Sequence, residues 1–157
     1  MASLDIRPGR GFTLLELVVA LAIVAVILGV SVPAMQNFYE SSQYRGAISD
    51  VVSLLGSARY TAIRTGNEQD VFIYPRERKI SSGKASRVLP DGIRLEVLGS
   101  AELNQDSAGV IRFYPDGGAS GGYINVASEN GNVVQVQVDW LLGRVSTCTD
   151  NCEGMPL

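Results

Sequence analysis

An α+β protein with one very long N-terminal helix and an antiparallel β head is expected from three features. The first is an apolar run continued by a helix-period stripe as far as Arg64. The second is a switch after Asn67 from helical period to period two, and the third is a set of closely spaced turn signals between the period-two segments.

The apolar run, Phe12 to Val32, covers 21 residues with Glu16 as its only charge. That length spans a bilayer core. The preceding residues 1 to 11, MASLDIRPGRG, are short and polar and carry Arg7 and Arg10. A basic flank on this side alone puts the N-terminus in the cytoplasm and everything after Pro33 outside. Pro33 removes a backbone donor and clashes with the preceding turn, so it marks either a kink or a simple boundary in the helix.

Beyond the proline, Tyr44, Ile48, Val51, Leu55, Ala58 and Ala62 recur at steps of three and four, while Arg45, Asp50 and Arg59 lie on the other face. The stripe is expected to pack on a sheet of the same chain. Thr65-Gly66-Asn67 suits a left-handed cap at Gly66. Unbroken from Phe12 to Arg64, such a helix would measure about 80 Å.

Among the strands, Val134, Val136, Val138 and Trp140 alternate with Gln135, Gln137 and Asp139, the pattern of a half-buried strand. Weaker strands are read at 70–74, 93–98, 110–114, 123–127 and 143–146. Pro90-Asp91-Gly92 and Asn130-Gly131-Asn132 punctuate them, and the short spacings favour antiparallel pairing.

Composition narrows function. At 157 residues and 46% hydrophobic, the chain supplies one modest core plus an anchor. Its net charge is −3, and removing residues 1 to 11 leaves 11 basic against 15 acidic side chains. Bulk attraction to nucleic acid is not expected. With no histidine, histidine-based catalysis is excluded, and no serine or cysteine has a visible base, so neither an enzyme nor a cofactor is expected. Cys148 and Cys152 suit an oxidised hairpin outside the cytoplasm better than a zinc site. Thr149, Asp150, Asn151 and Glu153 follow no recognised calcium-loop spacing, and a polar tail is preferred to a metal site.

Two local features invite other readings. Asp116 to Gly122 is rich in glycine but lies between strands, opens no helix and has no lysine, so it is read as a long hairpin, not a phosphate cradle. Arg76, Arg78, Lys79, Lys84 and Arg87 form a basic patch in a loop or hairpin around Ser81-Ser82-Gly83, with Tyr74 the one aromatic nearby. A solvated turn explains this patch as well as nucleic-acid binding does.

A plain signal anchor would explain the apolar run but not an acid so near its start. A secretory signal cut near Val32-Pro33-Ala34 would carry an apolar region longer than usual and an acid inside it. Gly11-Phe12-Thr13-Leu14-Leu15-Glu16 instead resembles the type IV prepilin signature. That resemblance implies cleavage by a prepilin peptidase after Gly11, N-methylation of Phe12, and a role for Glu16 in assembly.

Phe113 to Tyr123 (FYPDGGASGGY) and Val138 to Val145 (VDWLLGRV) resemble the H-type minor pseudopilins of type II secretion, in the general secretion pathway protein H family. The type IV minor pilins of the FimT and FimU kind, involved in pilus assembly or DNA uptake, share the same domain family and remain the alternative. Arg144 follows Gly143 as in DNA-binding minor pilins, but Ser146 stands where those tend to have a second arginine. The resemblance implies a pilin-like fold, with residues 1–11 as leader, 12–33 as the transmembrane half of a spine helix, 34–65 as its periplasmic half and 66–157 as the β-rich head. The expected partners are other major and minor pseudopilins, the prepilin peptidase, the inner-membrane secretion platform and the membrane itself.

Overall fold

The computed structural model describes residues 12–99, 108–149 and 152, without the side chains of 30–34, 36 and 37. Gly11 and the side chain of Pro33 therefore lie outside the described residues. Helix α1 (Leu14–Thr65) is followed by eight strands: β1 (Gln69–Tyr74), β2 (Lys79–Ser82), β3 (Ala85–Val88), β4 (Ile93–Gly99), β5 (Gly109–Phe113), β6 (Gly122–Ser128), β7 (Val133–Val138) and β8 (Val145–Cys148). The chain divides into two compact units, Met1–Glu40 and Ser41–Leu157.

In the first unit, Thr13 caps the helix: its Oγ1 accepts the Glu16 N–H at 3.2 Å. Every described side chain from Phe12 to Gly29 is exposed. Among the described residues no helix is long and apolar enough to cross a membrane.

In the second unit, the strands form two four-stranded sheets in the orders β3-β2-β1-β5 and β4-β6-β7-β8, with every strand pair antiparallel. One apolar cluster serves both. The helix contributes Ala47, Val51, Leu54, Leu55, Ala58 and Ala62, the first sheet Val71, Ile73, Ile80, Ile111 and Phe113, and the second Ile93, Leu95, Ile124, Val126, Val136 and Val138. Alternation does the sorting, because in a strand every second side chain faces the same way. Tyr44 joins the rim of the cluster, and its hydroxyl donates to the Val126 carbonyl at 3.1 Å.

The helix ends where expected: Gly66 has φ +67°, and its N–H bonds the Ala62 carbonyl at 3.0 Å. Both turn signals are used. Gly92 and Gly131 each take φ +84°, the left-handed region that favours glycine. Across β1 and β5, Asp70 stands opposite Arg112. Arg112 Nε and Nη2 meet the two Asp70 oxygens at 2.6 and 2.9 Å, and Nη1 reaches Glu68 at 3.0 Å. Hydrogen bonding to Asp70, ahead of any other cause, pushes the Arg112 guanidinium still further above its ordinary range.

Two expectations are refined, for the segment after β5 and for the basic patch, and two are corrected, for Trp140 and Arg59. The segment Asp116 to Gly122 turns back tightly, with Phe113 bridged to Ala119, but it does not pair β5 with β6, which belong to different sheets. Trp140 leaves the Val134–Val136–Val138 alternation: β7 ends at Val138, and the indole is 55% exposed. The basic patch is a hairpin, one of the two forms expected, made of β2 and β3 with β3 at the edge of the first sheet. Arg59, placed by its spacing on the face away from the apolar stripe, is half-buried and bonded to the head.

Truncating the shared core tests this account. Leu55→Ala should cost about 2 to 5 kcal/mol of unfolding free energy, and Tyr60→Ala, on the exposed face, within about 0.5 kcal/mol of zero, by denaturant titration of the full chain in detergent. Tyr44→Phe should cost about 1 kcal/mol. Burial raises the Tyr44 pKa above the usual phenol value, whereas a backbone hydrogen bond with Val134, distinct from the one to the Val126 carbonyl, opposes the shift. A raised folded pKa means stability that is present below about pH 10 and lost above it. The Phe variant should lack that alkaline loss.

Candidate assembly sites

The N-terminal site gathers Phe12, Thr13 and Glu16 in one turn. Thr13, Leu14, Leu15 and Glu16 form the sequence T-x-x-E, so the threonine that accepts the Glu16 N–H is the N-cap and Glu16 is the third residue of the helix. This capping role was legible in the sequence and is missed when Glu16 is read only as a charge in lipid. A carboxylate in the first helical turn is favoured by the helix dipole. Glu16 thus sits at the least costly place on the helix for an acid.

A second site lies in the β head. The chain between β5 and β6 folds back on itself: Tyr114 N–H bonds the Gly118 carbonyl at 2.9 Å, Ser120 N–H bonds the Arg112 carbonyl at 2.8 Å, and Phe113 bridges to Ala119. It also binds the turn after β7, where Ala119 N–H meets the Trp140 carbonyl at 2.9 Å. That turn is closed by Asp139, whose carboxylate accepts the Leu142 N–H at 2.6 Å and whose N–H bonds the Arg144 carbonyl at 2.9 Å. The two stretches that carry the family resemblance are therefore one structure in space.

The spine helix completes it. Arg59 Nε donates to the Gly117 carbonyl at 3.2 Å, 58 residues away in sequence. Gly117, Gly118 and Ala119 are buried beneath this contact. Gly143 is needed for a steric reason: it has φ +57°, and a Cβ there would overlap the Gly117 carbonyl oxygen and press on Arg59. Gly121 faces the Trp140 side chain in the same way.

The other sequence-read sites are not drawn together. In the basic patch, Arg78 pairs with Asp91, Arg87 lies 3.8 Å from Asp50, and Lys79 sits 5.5 Å from the Tyr74 ring centroid. Arg76 and Lys84 are exposed. The Tyr74 ring is thus covered by Lys79 and stacked on Phe72, with centroids 6.5 Å apart, so it is not a free stacking platform. Cys148, at the end of β8, is joined to Cys152 by a disulfide with the Cα atoms 5.8 Å apart. Asp150, Asn151 and Glu153 lie outside the described residues. Among the described residues, no three His, Cys, Asp or Glu side chains are grouped to hold a metal ion.

Residues 6–32 match the family model described as the prokaryotic N-terminal methylation motif. Type II secretion system protein H of Xanthomonas campestris is 27% identical over 141 residues, covering 88% of this chain and 83% of that protein. By sequence, the chain is similar to type II secretion system protein H. A fimbrial protein of Pseudomonas aeruginosa is 31% identical over 83 residues, and the chain spans about half of that protein, 53%. Among solved structures, the minor pseudopilin EpsH from the Type 2 Secretion System of Vibrio cholerae aligns with a TM-score of 0.48 and 13% identity, over 72% of this chain and 95% of that one.

Two glycines separate sterics from conformation. Gly131→Ala meets nothing but its positive φ and should cost about 1 kcal/mol, whereas Gly143→Ala must also displace Gly117 and should cost at least about 2 kcal/mol more. Chemical denaturation of the full chain measures both, and equal losses would disprove the packing of the two stretches.

Proposed function

We propose that this chain is a minor pseudopilin of a type II protein secretion system, a structural subunit of the pseudopilus that helps export folded proteins across the outer membrane. The observation that carries this reading is the extent of the similarity to protein H. The methylation motif fits pili and pseudopili alike, whereas the similarity to protein H runs on across most of the chain, 88% of it.

On this reading the peptidase cuts after Gly11, and Phe12 becomes the methylated N-terminus. The apolar run from Phe12 to Val32 then anchors the subunit in the inner membrane with its head in the periplasm. The exposed side chains from Phe12 to Gly29 form a surface that water does not favour, and lipid or neighbouring helices would cover it. Glu16 is costly in that setting, by about 2.5 to 3.5 kcal/mol at a helix centre and less near an end. The freed amine of Phe12, on the same chain or on a neighbour in the filament, would neutralise it. Pro33 would soften the helix as subunits pack. Partners are the major and minor pseudopilins, the prepilin peptidase and the secretion platform.

A second reading, a type IV minor pilin, draws on the fimbrial similarity, which reaches only half of either chain. Complementation distinguishes them: deleting the gene in its host should abolish export of folded proteins while leaving pili intact under the first reading, and the reverse under the second.

Two measurements test the assembly mechanism. Intact-mass analysis of the mature protein should find a chain starting at methylated Phe12; a start at Met35 or at Met1 would refute pilin-type processing. Glu16→Gln should be cleaved and inserted like the wild type yet enter sheared filaments at roughly a tenth of the wild-type level, the size expected when a charge pair worth about 1.4 kcal/mol or more is lost. Unchanged incorporation would rule out the charge pairing.

A further inference from the structure

Beside the loop that Arg59 holds, five large apolar side chains stand in water: Tyr60, Ile63, Trp140, Leu141 and Leu142, between 49% and 65% exposed. Single exposed apolar residues are ordinary, but these are neighbours. Gly117 links them, since a Cβ there would lie 3.5 Å from Ile63 Cδ1 and 3.6 Å from Arg59 Nη2. A Cβ on Gly118 would lie 3.2 Å from the Trp140 carbonyl oxygen and 3.4 Å from that of Leu141. Tyr60 lies one turn before Ile63 and Arg64 on the helix, and the Arg64 guanidinium sits 6.0 Å from the Tyr60 ring centroid.

The charges around this patch have a sign. Arg59, Arg64 and Arg144 are near it, and among the described residues none of the three is in an ion pair. The adjacent carboxylates, Asp116 and Asp139, are each already accepting a backbone N–H, from Gly118 at 2.9 Å and from Leu142 at 2.6 Å. Guanidinium groups with open donors beside tryptophan, tyrosine and leucine side chains suit a partner that offers carboxylates next to apolar groups. Nucleic acid suits it less, because three of the five apolar residues, Ile63, Leu141 and Leu142, are aliphatic and cannot stack on a base.

We infer that this patch docks an acidic, apolar segment of another subunit of the same filament, with Arg59 as the residue that positions the loop beneath it. The inference rests on the pseudopilin reading above. It is tested by replacing Leu141 with the photo-crosslinker p-benzoylphenylalanine in the full chain, in cells that assemble the filament, and sequencing the peptide captured. An adduct to an Asp- or Glu-containing segment of a different filament subunit supports the proposal. Combining the probe with Arg64→Glu and Arg144→Glu should then reduce the adduct about tenfold, while Arg64→Lys with Arg144→Lys should keep most of it.

No adduct, or one to lipid, to nucleic acid, to a second copy of this chain or to a segment without acids, would overturn the inference, as would indifference to charge reversal. Wild-type melting of each variant shows that the head is folded. If the unmodified chain still enters the filament with methylated Phe12, such a failure belongs to the docking surface alone; if it never enters the filament, the pseudopilin reading itself fails.

Discussion

The head depends on one burial event, that of the helix stripe from Ala47 to Ala62 against two sheets that share no strand pairing. Val51, Leu55 and Ala62 are fully buried, and so are Ile73 and Phe113 of the first sheet and Ile124 and Val136 of the second. Small residues matter here as much as large ones. Ala47, Ala58 and Ala62 let the sheets approach the helix, while Leu54 and Leu55 fill the space between. A similar economy holds where the sheets approach each other: Gly109 of β5 has no room for a Cβ beside Val97 of β4.

Polar contacts then fix what burial leaves free. Hydrophobic packing is not directional, so it sets the sheets on the helix without choosing the path of the chain between β5 and β6. Arg59 does that by reaching the Gly117 carbonyl, and Asp116 and Asp139 hold their turns by accepting backbone N–H groups. The Asp70–Arg112 pair across β1 and β5 has two parallel hydrogen bonds, which confer register as well as attraction. Loss of Arg59 would therefore be felt first in the loop and the Trp140 turn, and only weakly in the core.

At the other end of the helix the same principle operates with one acid. A carboxylate placed at the third helical position gains from the dipole and from proximity to a capped N-terminus, which lowers the cost of keeping it in an apolar surrounding. An acid two turns later would have neither benefit. The location of Glu16 thus serves helix initiation in the chain by itself and, on the proposed mechanism, charge pairing in the filament.

Much was legible from residues 12 to 65, where the helical period predicts the buried face of Val51, Leu55, Ala58 and Ala62, and Gly66 predicts the end of the helix. Strand positions followed from alternation and from the Gly92 and Gly131 turns. Ala47 and Leu54 were harder to see, because the apolar face is wider than the narrow stripe of threes and fours suggests. The short β2 and β3 were legible only as a loop or hairpin, since strands rich in basic side chains read like a turn.

The sequence by itself determined the methylation motif, the acid at its fixed distance and the change of period, because each is carried by residues close together in the chain. Only the tertiary structure decided that β5 and β6 belong to different sheets, that Trp140 faces solvent and that Arg59 holds a loop 58 residues away. The physical reason is that periodicity reports which face of an element is buried but not against what, and partners distant in sequence are chosen by packing.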